Sequence, residues 1–189
     1  MMRIVTTSVV LLLVAGGCKS APKTGSQKAE MQEDVRAMAR RTLDRLYAIQ
    51  PKARQVVSGA AGYAVFSNFG LKLFVAGSGS GQGVAVSNRT KAETFMRMAE
   101  IQAGLGLGAK KFSLVWVFDS SGALDQFVNS GWELGAQASG AAATGDRGLA
   151  MQGALVVAPG VWVYQLTDAG LALELTAKGT KYYKDDGLN

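Results

Sequence analysis

Residues 62–86 read GYAVFSNFGLKLFVAGSGSGQGVAV. Three short apolar runs, 63–66, 71–76 and 84–86, are separated by glycine, serine and asparagine. Aromatic and β-branched residues suit a pleated, half-buried surface, while Ser67-Asn68 and the 77–83 run are turn formers. The pattern predicts a glycine-rich β-meander. Four glycines in residues 77–83 imply positive φ, or a backbone approached closely by another chain or a ligand.

A phosphate-binding loop is the first function to test. The dinucleotide fingerprint places glycines at relative positions 1, 3 and 6, just ahead of a helix. Counting from Gly77 the sixth residue is Gln82, and from Gly79 it is Val84, after which the strand pattern continues. The P-loop run of glycine, four residues, then Gly-Lys-Ser/Thr is missing at 104–110 and elsewhere. The stretch therefore reads as a tight hairpin whose glycines serve turns and packing.

Outward from this hairpin the chain continues in short elements. Upstream, Met31, Val35, Met38, Ala39, Leu43, Leu46 and Ile49 fall at helical spacing, and Pro51 ends that helix. At 100° per residue Arg36, Arg40, Arg41 and Arg45 project away from the apolar stripe, on a face shared with Glu33, Asp34 and Asp44. A solvated outer face and a phosphate-contacting face both fit this pattern, since guanidinium matches phosphate bidentately. Residues 52–58 allow a second short helix. Downstream, 88–91 is a polar turn, 92–98 fits helix or strand, and 102–108 alternates glycine with leucine.

Residues 111–118 alternate strongly. Phe112, Leu114, Trp116 and Phe118 share one face, with Lys111, Ser113, Val115 and Val117 on the other. Leu124, Phe127 and Val128 mark a short helix over 123–130. The small-residue run 135–144 reads as a strand in a crowded interior. Turns at 145–146, 158–160 and 168–170 separate three further strands, 149–157, 161–167 and 171–178, as an antiparallel meander. The expected class is α+β: an antiparallel, glycine-rich curved sheet or open barrel of about eight strands, with an N-terminal amphipathic helix and short helices packed on it.

The whole chain has 189 residues, 48% of them hydrophobic and 18% charged, with 3 prolines against 24 glycines. That suits one domain plus a leader and linker. Arg3 followed by the apolar run 4–14 has the form of a secretory signal, too short for the roughly 20 residues of a spanning helix. Small residues then lead into Cys18, the 1 cysteine of the chain. This resembles the lipobox of bacterial lipoproteins, where the cysteine is acylated and becomes the mature N-terminus. The expected organisation is a signal peptide at 1–17, a lipidated Cys18 with a flexible tether at 18–30, and a folded domain at 31–189. In lipoproteins the residue after the cysteine influences sorting, and Lys19 points to the outer membrane, periplasmic side. Loss of Arg3 with the leader leaves 19 of the 20 basic residues against 14 acidic ones, a net +5. Mild positive charge suits an anionic surface; an exported lipoprotein makes nucleic acid an unexpected partner.

There are 0 histidines, which excludes His-dependent triads and the common zinc sites. Asp185-Asp186 reads as a solvated polar tail, Glu133 and Glu174 have no evident partner, and Ser113 near Lys111 lacks a supporting motif. No enzymatic activity, metal or cofactor is expected.

The motifs Gly62-Tyr63-Ala64-Val65-Phe66, the 77–83 glycines, Gln102-Ala103-Gly104 with Leu107-Gly108, Ala123-Leu124-Asp125-Gln126-Phe127, the 132–138 segment and the 178–184 ending occur together and in order. They resemble the SYLF-domain family over about residues 35–184, most closely its bacterial lipoprotein branch. The resemblance implies lipid binding without catalysis. Eukaryotic members bind phosphoinositide-containing membranes, partly through an N-terminal amphipathic helix, and some regulate actin, which does not transfer to a periplasmic protein. The expected partners are membrane lipids with anionic, phosphoinositide-like headgroups, besides the acyl chains on Cys18. The expected headgroup contacts are Arg36, Arg40, Arg41, Arg45, Lys72, Lys110 and Lys111, with Phe69 and Phe74 as apolar contacts. The alternative is a structural or stress protein of the envelope, taking a protein partner by strand addition to a glycine-rich edge.

Overall fold

The computed structural model describes residues 24–73, 76–103, 108–134, 153–172 and 179–189. Among the described residues nine strands form one sheet: β1 (Gly62–Leu73), β2 (Ala76–Ser87), β3 (Glu93–Ala103), β4 (Gly108–Phe118), β5 (Trp132–Leu134), β6 (Leu155–Ala158), β7 (Val161–Thr167), β8 (Gly170–Ala172) and β9 (Thr180–Lys184). The order is β5-β9-β3-β2-β1-β4-β7-β6, with β8 beside β7. Every pairing is antiparallel. The sheet curls into an open half-barrel, an α+β fold. Three helices complete the described residues: α1 (Gly25–Ile49), α2 (Ala53–Gly59) and α3 (Ser121–Ser130).

The opening stretch is a pair of long strands rather than three short ones. β1 and β2 pair from Gly62↔Ser87 to Leu73↔Ala76 without a break. Ser67-Asn68, expected as a turn, lies inside β1, its backbone matched by β2 on one side and β4 on the other. The 77–83 glycines, expected to serve both turns and packing, are likewise strand, and the described glycines with positive φ all lie elsewhere. Close approach is what requires them. A β-carbon on Gly83 would fall 2.3 Å from Phe66 Cδ1, and one on Gly81 2.3 Å from the Ser67 carbonyl oxygen. Because β2 lies between β1 and β3, the 77–83 strand offers no free edge to a partner strand.

Both faces of the sheet are covered. α1 and α2 bring Val35, Ala39, Leu46, Ala53 and Val57 onto Val65, Val84, Phe95, Val115 and Val117. On the opposite face α3 sets Leu124 and Phe127 against Phe66, Met96, Leu114, Trp116, Phe118 and Tyr182. The alternation of 111–118 thus supplies two cores from one strand. Within the second core the Tyr182 ring lies 5.0 Å from both Phe66 and Trp116. Desolvation, with Glu100 as a secondary cause, pushes the Tyr182 hydroxyl well above its ordinary 10.0. Glu100 itself is 2% exposed and accepts a hydrogen bond from Asn68, 1% exposed, over the bare backbone of Gly79.

The two termini of the folded part depart from expectation. α1 starts at Gly25, not Met31, because Thr24 and Gln27 form a reciprocal capping box that satisfies two of the first turn's orphan donors. The C-terminal tail is tucked in. Asp185, expected to be solvated, is 6% exposed and pairs with Arg97 at 3.0 Å. Leu188 is buried, and the Asn189 side chain bonds both the N–H and the carbonyl of Phe95. Lys28 and Gln32 of α1 donate to the carbonyls of Asn189 and Leu188 at 2.6 and 2.7 Å.

Candidate functional site

α1 lies across β2, β1 and β4, and its arginines divide between the two flanks of the buried stripe. On the β3 side, Arg36 donates to Glu93 at 2.8 Å, approaches Glu33 at 3.7 Å, and lays its guanidinium 5.2 Å from the Phe95 ring. Its expected projection away from the packed face is therefore overturned: a neighbouring carboxylate and ring draw it onto the sheet. Arg40 donates to Glu33 at 2.6 Å and holds the Glu33 carboxyl below its ordinary 4.5. Both arginines on this flank are engaged by the protein's own acids.

The other flank differs. Asp34, Met38, Arg41 and Arg45 stand at i, i+4, i+7 and i+11, one line along a helix. This line overlooks two adjoining hollows against the sheet that share Met38, Ser67 and Lys111. The smaller, about 210 Å³, is lined by Arg41, Arg45 and Lys111 together with Ser113 and Leu166. The larger, about 460 Å³, carries Asp34, Gln82, Arg97 and Tyr183. Arg45 donates to the Thr167 carbonyl. Arg41 and Lys111 are exposed and form no ion pair among the described residues.

Three expected contacts, Arg41, Arg45 and Lys111, thus meet at one hollow, while Arg36 and Arg40 stand apart. Lys72 sits in β1 opposite Gly77 and Gly108, and Lys110 in β4 opposite Gly70; the side chains of both, and of Phe69, lie outside the described residues. So do Cys18, Phe74, Glu174 and the 135–144 run. Sequence reasoning missed Arg97, Gln82 and Tyr183, which register alone brings together: Gln82 pairs with Arg97, and Arg97 with Tyr183. Ser113 and Lys111 share the smaller hollow without a hydrogen bond joining them. Among the described residues no three metal-ligating side chains converge, and no described helix is long and apolar enough to cross a membrane.

The chain is similar to Beta cell expansion factor A of Aeromonas veronii. Identity is 31% over 167 residues, which is 88% of this chain. The match spans 61% of Beta cell expansion factor A, so that relative is considerably longer. No family model matches the chain.

Proposed function

We propose that this protein is a non-enzymatic, SYLF-like lipid-binding lipoprotein that takes the phosphate of an anionic, phosphoinositide-like headgroup in the groove between α1 and the sheet. One observation carries the reading. Arg41 and Lys111, both free of ion pairs among the described residues, meet at a hollow lined further by Arg45, three hydroxyls, Met38 and Leu166. Cations beside hydroxyls suit a phosphate, and the apolar side chains suit the start of a glycerol or acyl chain. The motif order of the SYLF family and the net positive charge support the same reading.

The apolar stripe of α1 is occupied by the sheet, so in this reading α1 meets lipid through its Asp34–Arg45 flank while its core stays packed. Acylation at Cys18 holds the chain on the periplasmic side of the outer membrane and brings the groove to the headgroups. The test is calorimetric titration of the full chain with a short-chain phosphatidylglycerol below its micelle concentration, at low and high salt. Binding that weakens with salt supports headgroup recognition. Failure to bind at either salt rejects it.

A further inference from the structure

The same α1 line that brings two arginines to the groove also brings a carboxylate. Asp34 lines the larger hollow, lies two helical turns before Arg41, and forms no ion pair among the described residues. Helix rise sets the two Cα atoms about 10 Å apart along the axis. Long helical side chains lean toward the helix N-terminus, which carries the Arg41 guanidinium back toward Asp34. Tyr183, an exposed ring, lines the same hollow, as does Arg97, whose guanidinium is already paired with Asp185. A groove built for phosphate alone gains nothing from an unpaired carboxylate at one end, since it repels that ligand.

We propose that the groove selects a headgroup carrying a primary ammonium as well as a phosphate, an aminophospholipid of the ethanolamine type. The phosphate sits between Arg41 and Lys111. The ammonium sits at Asp34, where the carboxylate supplies charge and hydrogen bonds and the Tyr183 face adds a cation–π contact. Met38, common to both hollows, lies under the link between the two groups. This inference rests on the groove being the lipid site and adds the second half of its chemistry.

The test titrates the full chain and its Asp34→Asn variant with short-chain phosphatidylethanolamine and short-chain phosphatidylglycerol. Asp34→Asn is expected to weaken the ethanolamine lipid about fivefold, the scale of one partly exposed ion pair. The same change is expected to leave the glycerol lipid unchanged or bound more tightly, because a repulsive charge is gone. Weaker binding of the ethanolamine lipid without weaker binding of the glycerol lipid establishes the ammonium site. Unchanged or tighter binding of the ethanolamine lipid on Asp34→Asn overturns it while leaving the phosphate reading intact. Absence of binding by either lipid removes both readings together. Acyl-free glycerophosphoethanolamine competing as well as the short-chain lipid supports the same chemistry and assigns a soluble phosphodiester as its source.

Discussion

The backbone of Gly81 in β2 lies so close to Met98 of β3 that a β-carbon would fall 2.7 Å from the Met98 Cγ. The strand is bare because its neighbours occupy the space. Gly81→Ala and Gly83→Ala are expected to destabilise the fold by about 1–3 kcal/mol each, the usual range for overpacking a core. At Gly59, the end of α2, a β-carbon would meet no atom within 4 Å. Gly59→Ala should be neutral or stabilising by up to about 1 kcal/mol. Denaturant midpoints for the three variants check the contrast.

Asn68 and Glu100 form a buried charged hydrogen bond. Removing the amide leaves the carboxylate buried without its donor. Asn68→Ala is expected to cost about 3 kcal/mol, since hydrogen bonds to charged groups are the stronger class and desolvation adds to the loss. Glu100→Gln in the intact background should cost less. A double-mutant cycle on unfolding free energies measures the coupling, and additive effects would show that the pair does not interact.

Tyr182 predicts an alkaline limb in stability. Its hydroxyl stays protonated in the folded protein well above 10.0, whereas in the unfolded chain it ionises near that value. The stability it contributes is therefore fully present below about pH 10 and lost as pH rises past it. Tyr182→Phe should flatten this limb relative to wild type between about pH 9 and 11. Identical slopes in the two proteins would refute the assignment.

The C-terminal clasp holds α1 to β3. Leu188 is 1% exposed, and Asn189 bonds both backbone groups of Phe95. Leu188→Ala is expected to cost about 2–4 kcal/mol as a large-to-small core change. Asn189→Ala should speed hydrogen exchange at the Phe95 amide specifically, read by NMR.

Sequence periodicity made much of this fold legible. The 111–118 alternation, the α1 spacing and the turns at 158–160 and 168–170 are local signals, and β4, α1 and the breaks between β6, β7 and β8 follow them. The strand expected over 149–157 is strand only from Leu155 among the described residues, and 173–178 lie outside them. Ser67-Asn68 misled because turn propensity is local, whereas Asn68 is held in a strand by a partner 32 residues away. Asp185 misled for the same reason: Arg97 and Phe95 decide its burial, and both lie far back in the chain. At the site, the cationic character of α1 was readable. Its division into a self-paired flank and a free one was not, because Glu93, Phe95 and Lys111 reach α1 only through the sheet.

Calorimetric binding of short-chain phosphatidylglycerol to the full chain and to two double variants separates recognition in the groove from diffuse attraction. Arg41→Gln/Lys111→Gln is predicted to weaken binding at least tenfold, as two charge-assisted contacts are lost. Arg36→Gln/Arg40→Gln should change it less than about threefold, because those guanidiniums are already engaged by Glu33 and Glu93. Equal losses in the two variants would mean that diffuse charge on α1, and not the groove, attracts the lipid.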